Sequence, residues 1–159
     1  MDKSATILII DDQQDLLDDV GMVLEIVGYQ VLKALDGFTA LDILESHSVD
    51  LILADVAMPG MNGYQLYERV RENPKWLMIP FLFLSARSMD SDIRFGKQLG
   101  VDDYLTKPIE SEDLLAAIQG KLRRIQQLAS HGGVLAQAGA PQLLGADPLI
   151  VGRLKIAVA

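Results

Sequence analysis

The chain has 159 residues, half of them hydrophobic and 23% charged, a composition that suits one globular domain of ordinary size with a short extension. It has no cysteine, which excludes disulfides and a cysteine zinc site and fits a reducing compartment. The net charge of −8 is uneven: residues 1–120 hold 21 acids and 9 bases, and residues 121–159 hold 1 acid and 5 bases, so the first part is too acidic to bind nucleic acid by charge and the tail carries no basic patch.

Apolar runs such as Ile7–Ile10 and Pro80–Leu84 fall far short of the ~20 residues a bilayer-spanning helix needs. The N-terminus lacks the basic-then-apolar layout of a signal peptide. No membrane association and a cytoplasmic location are the expectations.

In chain order, Thr6–Ile10 reads as a buried strand that stops abruptly at Asp11-Asp12. Leu16, Leu17, Val20, Val23, Leu24 and Val27 then recur at helical spacing, with Gly28 in the position of a left-handed cap. Tyr29–Ala34 is a second strand and Thr39–Leu44 a second, short helix. Val49–Ala54 is a third apolar strand ending in Asp55, followed by the turn-rich Met58-Pro59-Gly60-Met61-Asn62-Gly63. A third helix runs from Tyr64 to Glu72 and ends at Asn73-Pro74. Pro80–Leu84 is the fourth strand, followed by Ser85-Ala86, and Asp90–Leu99 the fourth helix, closed by Gly100. Val101–Leu105 is a short fifth strand before Thr106-Lys107-Pro108, and Ser111 caps a last helix that extends to Leu128.

Strands alternate with helices, and strands one, three and four are apolar on both faces. That pattern predicts an α/β fold: a doubly wound, five-stranded parallel sheet with helices on both sides. Residues 1–128 are expected to form this domain. Residues 129–159, rich in Ala, Gly and Leu, are expected to be either a tail or the truncated start of an output domain, with Leu149–Val158 as one strand of it.

Ligands of open α/β sheets bind beyond the carboxyl ends of the strands. In this chain those ends carry Asp11, Asp12, Asp55, Ser85 and Lys107. Three converging carboxylates repel one another and call for a cation, and oxygen ligands favour Mg²⁺ or Mn²⁺ over zinc. A carboxylate beside such a metal can attack phosphorus, with the lysine and the metal neutralising the phosphoryl oxygens.

Asp11-Asp12 after strand one, Asp55 ahead of its Pro-Gly and Asn-Gly loop, Ser85-Ala86, Tyr104 and Lys107-Pro108 together resemble the CheY-like receiver domains of two-component response regulators. The resemblance covers Ala5–Leu128, and the spacings from Asp55 to Ser85 and to Lys107 fit it. It implies a flavodoxin-like fold and assigns roles. Asp55 is the phosphoacceptor. Asp12, Asp55 and the backbone carbonyl of Ala57 are ligands of Mg²⁺, with Asp11 acting through water. Lys107 pairs with Asp55 and later with the phosphoryl group, and Lys107-Pro108 is a cis peptide. Ser85 and Tyr104 are the switch residues, altering the face built by helix four, strand five and helix five. The implied partner is a sensor histidine kinase or phosphotransfer protein; Asp15, Asp18 and Asp19 read either as the solvated face of helix one alone or, some of them with Gln14, as the border of the surface that meets it. The implied activity is a phosphoacceptor switch that catalyses its own phosphorylation and dephosphorylation, not an enzyme acting on a separate substrate.

Other readings fit less well. A haloacid-dehalogenase-type phosphatase needs a second acid two residues after its nucleophile, where this chain has Ala57. A phosphorylation-independent receiver would lack an acid or the lysine, and this one lacks none. Met58 and Met61 read as loop packing, and His47 and His131 as solvent-facing. Ala57 and Arg87 flank the path of the hydrolytic water in this family, and with these side chains slow autodephosphorylation is expected. The acids Asp102 and Asp103 on strand five meet Ala116, Ala117 and Gly120 where OmpR-type dimers carry bases, which disfavours that dimer. The apolar stripe Leu114, Leu115, Ile118, Leu122, Ile125 and Leu128 favours instead a homodimer through the extended last helix.

Overall fold

The computed structural model of the chain describes residues 4–86 and 103–128. The expected fourth helix, Arg87, Asp102, His131 and residues 129–159 lie outside the described residues.

Five strands form one parallel sheet: β1 (Thr6–Ile10), β2 (Gln30–Ala34), β3 (Leu51–Asp55), β4 (Phe81–Ala86) and β5 (Asp103–Lys107), in the order β2-β1-β3-β4-β5. This is the flavodoxin-like order, with a switch point between β1 and β3. Every residue of β1 and β3 is buried, as continuous apolar strands between two helical layers must be.

Among the described residues the α-helices are α1 (Gln14–Ile26), α2 (Gly37–Ser46), α3 (Gly63–Glu72) and a last helix over residues 111–128. The sheet divides the apolar core in two. On one side α2 and α3 contribute Ala40, Leu44, Leu66 and Val70, packed against Leu8, Ile52 and Phe83. On the other, α1 and the last helix contribute Leu17, Leu24, Leu114 and Ile118, packed against Ile7, Leu53 and Leu105.

Local chemistry sets the helix ends. α1 closes in a Schellman motif: Tyr29 N–H donates to Leu24 O, Gly28 N–H donates to Glu25 O, and Gly28 takes φ +104°. The Asp36 side chain accepts from Thr39 N–H at 2.8 Å, which starts α2 earlier than its apolar spacing indicates. Asn62 and Gln65 form a reciprocal capping box at the start of α3. The last helix corrects one expectation. Leu114 N–H donates to Glu110 O, so Ser111 is the first helical residue and Glu110, not Ser111, is at the cap.

Three strand ends also differ from the apolar runs. Asp55, Ser85 and Lys107 are ladder residues of β3, β4 and β5 and not residues beyond them. Parallel pairing continues after the hydrophobic run stops, because the backbone groups need partners whatever the side chain is.

At the other end of β5, Asp103 forms an ion pair with Lys121 of the last helix, and both residues are almost fully buried. The base that pairs with the strand-five acid thus stands one helical turn beyond Ala117 and belongs to the same chain.

Candidate phosphoacceptor site

The carboxyl ends of β1, β3 and β5 bring Asp11, Asp12, Asp55 and Lys107 to one rim of the sheet. One carboxylate oxygen from each of Asp11, Asp12 and Asp55 lies within 4.8 Å of the others. Asp11 is fully buried and Asp55 nearly so, whereas Asp12 is exposed. Alternation along the chain accounts for the contrast: consecutive residues leaving a strand point to opposite sides.

Lys107 extends from the edge strand into this cluster. Its ammonium donates to Asp11 Oδ2 at 3.0 Å and lies 3.4 Å from Asp55 Oδ1. The sequence paired the lysine with Asp55; the structure places it between the two acids and nearer Asp11. Asp11 Oδ1 also accepts from Gln13 N–H at 2.9 Å, so both of its oxygens are engaged within the protein. The Lys107-Pro108 peptide is cis.

Burial raises the Asp55 pKa above the usual carboxylate value, and the neighbouring Asp11 charge raises it further; Lys107 and the Ala57 amide pull the other way. For Lys107, burial disfavours the charge, but the hydrogen bond to Asp11 and the charges of Asp55 and Asp11 outweigh it and raise the pKa. The Ala57 amide points at Asp55 Oδ1 from 3.4 Å. The loop that carries it turns back sharply. Gly63 N–H donates to Val56 O, and a β-carbon on Gly63 would stand 2.4 Å from the Asp55 carbonyl oxygen, so only glycine admits this approach.

Ser85 and Tyr104 are near the cluster but not bonded to it. Ser85, fully buried, donates its hydroxyl to Ala86 O at 3.1 Å. Tyr104 is half-buried, stacked on Phe83 with its hydroxyl 3.0 Å from that of Tyr64. Tyr64, read from sequence only as the start of a helix, is thus a direct partner of the expected switch tyrosine. Met58 and Met61 are buried in the core, as expected for loop packing, and His47 is exposed, beside Ser46.

The donor set fits a hard divalent cation. It is made only of oxygens, it carries more negative charge than Lys107 neutralises, and two of its three carboxylates are buried with the third open to solvent. Of the three carboxylates, Asp11 is already committed to Lys107 and Gln13, which leaves Asp12 and Asp55 as the oxygens open to such an ion.

Residues 7–119 match the family model of the response regulator receiver domain. The chain is 38% identical over 121 residues to the response regulator GtcR of Aneurinibacillus migulanus, covering 76% of this chain and 49% of that protein. It is 40% identical over 118 residues to the transcriptional regulatory protein CpxR of Escherichia coli, covering 74% and 49%. The chain therefore spans about half the length of the curated relatives it matches. Among solved structures, the chemotaxis protein CheY4 of Vibrio cholerae superposes with a TM-score of 0.71 at 32% identity, covering 76% of this chain and all of that one. A CheY-like receiver protein of Methanospirillum hungatei gives 0.73 at 28% identity, covering 79% and 98%. With the sheet order, the acidic rim and its lysine in agreement with these matches, the chain belongs to the response regulator receiver domains of two-component systems.

Proposed function

We propose that this domain takes a phosphoryl group from a phosphohistidine donor onto Asp55 and changes the surface around β5 in response. The observation that carries the proposal is the Lys107 ammonium held between the carboxylates of Asp11 and Asp55 at the rim of the sheet.

An Asp55 carboxylate oxygen attacks phosphorus in line with the leaving imidazole. A new O–P bond forms, the N–P bond breaks, and its electron pair stays on the imidazole nitrogen, which then takes up a proton. Lys107 is placed to follow the charge, from the Asp55 carboxylate before transfer to the phosphoryl oxygens after it. Asp11 orients that ammonium through its 3.0 Å hydrogen bond. The Ala57 amide, directed at Asp55 Oδ1, orients the nucleophile. Asp12, Asp55 and the Ala57 carbonyl would hold Mg²⁺, or Mn²⁺ in its place, which would supply positive charge against the carboxylates and the phosphoryl oxygens. Ser85 gives up its bond to Ala86 O to reach a phosphoryl oxygen, and Tyr104, which starts against Phe83 and Tyr64, swings inward to fill the space vacated.

In this reading the domain acts on itself and not on a separate substrate. A sensor histidine kinase or phosphotransfer protein is its partner, and the cytoplasm is the location that fits this reading. Among the described residues no helix is long and apolar enough to cross a membrane. Leu122, Ile125 and Leu128, only half-buried on the last helix, offer a surface for pairing two copies, and a monomer at high concentration by light scattering would reject that pairing.

The test of the chemistry is incubation with acetyl phosphate and Mg²⁺, followed by intact-mass measurement. The wild-type chain is expected to gain one phosphoryl group and Asp55→Asn none; equal labelling of the two would overturn the assignment.

A further inference from the structure

The Asp103–Lys121 ion pair is not explained by phosphoryl chemistry. It lies at the amino end of β5, whereas Lys107 enters the rim from the carboxyl end. Both charged residues are almost fully buried, Asp103 at 2% and Lys121 at 5% exposure. Holding two charges out of water is costly, and two apolar side chains of similar volume would pack the same space with no such cost. What an ion pair provides and an apolar contact does not is direction: it is satisfied in one alignment of strand and helix and lost when either slides.

Its position makes that alignment consequential. Asp103 directly precedes Tyr104, whose ring lies on the α3 side of the sheet against Phe83 and Tyr64. Leu105, the next residue, packs on the opposite side with Ala117 and Ile118 of the last helix. Lys121 stands one turn further along that helix. β5 and the helix are thus joined twice: by an apolar contact that tolerates slippage, and by a charge pair that does not.

We propose that the Asp103–Lys121 pair locks the axial register of the last helix to β5, so that a displacement of β5 is carried into residues 119–128 and not absorbed at the interface. The inference rests on the phosphoacceptor reading above. It identifies Asp103 and Lys121 as positioning residues, remote from the reacting atoms, that connect the rim to the end of the domain.

The experiment compares the wild-type chain with the double variant Asp103→Leu/Lys121→Met, which keeps an apolar contact and leaves no unpaired buried charge. Both are treated with acetyl phosphate and Mg²⁺, phosphorylation is followed by intact mass, and amide hydrogen exchange is read separately for residues 103–107 and 119–128. The expected result is equal labelling of the two proteins, a phosphorylation-dependent change in both segments of the wild type, and in the double variant a response of 103–107 that persists while that of 119–128 falls at least fivefold. Equal labelling with an undiminished response at 119–128 in the double variant overturns the inference and leaves the phosphoacceptor reading intact. Absence of labelling in the wild type overturns both. A swapped pair, Asp103→Lys/Lys121→Asp, is expected to restore the response at 119–128 wherever unfolding curves show it folds; a folded swap without restoration also overturns the inference.

Discussion

The Lys107 ammonium lies 3.0 Å from Asp11 Oδ2 and 3.4 Å from Asp55 Oδ1, so a single side chain from the edge strand bridges two buried acids from the centre of the sheet. Replacing it with methionine leaves those acids facing each other. A fully buried pair broken on one side costs about 3–5 kcal/mol, and the partial exposure of Lys107 reduces this, so Lys107→Met is expected to lower the stability of the metal-free domain by about 2–3 kcal/mol. Urea unfolding in chelator measures it, and an unchanged midpoint would mean that the lysine does not neutralise the cluster.

The raised pKa of Asp55 has the opposite consequence for the acid itself. The folded protein holds the Asp55 proton more tightly than the unfolded chain does. The stability this group contributes is therefore fully present below the ordinary carboxylate value and declines as pH rises through the raised folded value. In the absence of divalent cations, Asp55→Asn is expected to unfold later than wild type at neutral pH, with the difference shrinking toward acid pH. Thermal unfolding across pH 3–7 reads the sign, and a variant less stable than wild type at neutral pH contradicts it.

Divalent cation binding is expected to stabilise the wild-type fold by about 2.7 kcal/mol at a hundredfold excess over its Kd. Asp12, exposed at the rim, can be changed without opening the core. Asp12→Ala is expected to remove most of the Mg²⁺-dependent stabilisation while leaving the metal-free stability near that of wild type. Equal Mg²⁺ responses in the two proteins would remove Asp12 from the ligand set.

Gly63 sits where a β-carbon would come within 2.4 Å of the Asp55 carbonyl and 3.0 Å of Val56 Cα, both backbone atoms that cannot rotate away. Gly63→Ala is expected to destabilise the domain by about 1–3 kcal/mol and to slow phosphorylation as the Ala57 segment shifts. Unfolding and labelling rates measure the two effects, and a fully active, equally stable variant would show that the loop has room to give.

The hydroxyls of Tyr64 and Tyr104, 3.0 Å apart, are expected to show a coupling of roughly 1 kcal/mol in a double-mutant cycle to phenylalanine. A coupling near zero would mean that the two hydroxyls are independently satisfied.

Much of this was legible because the fold is written in a few strong signals. Apolar runs that stop at acids marked β1 and β3, and the Pro-Gly and Asn-Gly pairs marked the loop after Asp55. The details that escaped are those set by partners distant in sequence. Asp55, Ser85 and Lys107 continue their ladders because neighbouring strands offer backbone groups there, which hydrophobicity does not report. Asp11 and Asp12 are adjacent in sequence, yet one is buried against Lys107 and the other faces solvent, a difference decided by strand geometry. Lys121 stands in the sequence simply as one residue of the extended last helix, and only the packing of that helix on β5 reveals its acid.

The strand order has one more consequence. β4 stands between β3 and β5, so the backbones bearing Asp55 and Lys107 are two ladder spacings apart, about 9.5 Å. A cation on the outermost strand must cross an entire intervening strand to touch the central acid. Reach, as much as charge, selects the side chain at that strand end: the four-carbon stem of lysine crosses the gap, and histidine at position 107 would keep a positive charge at low pH yet stop short of its counterion.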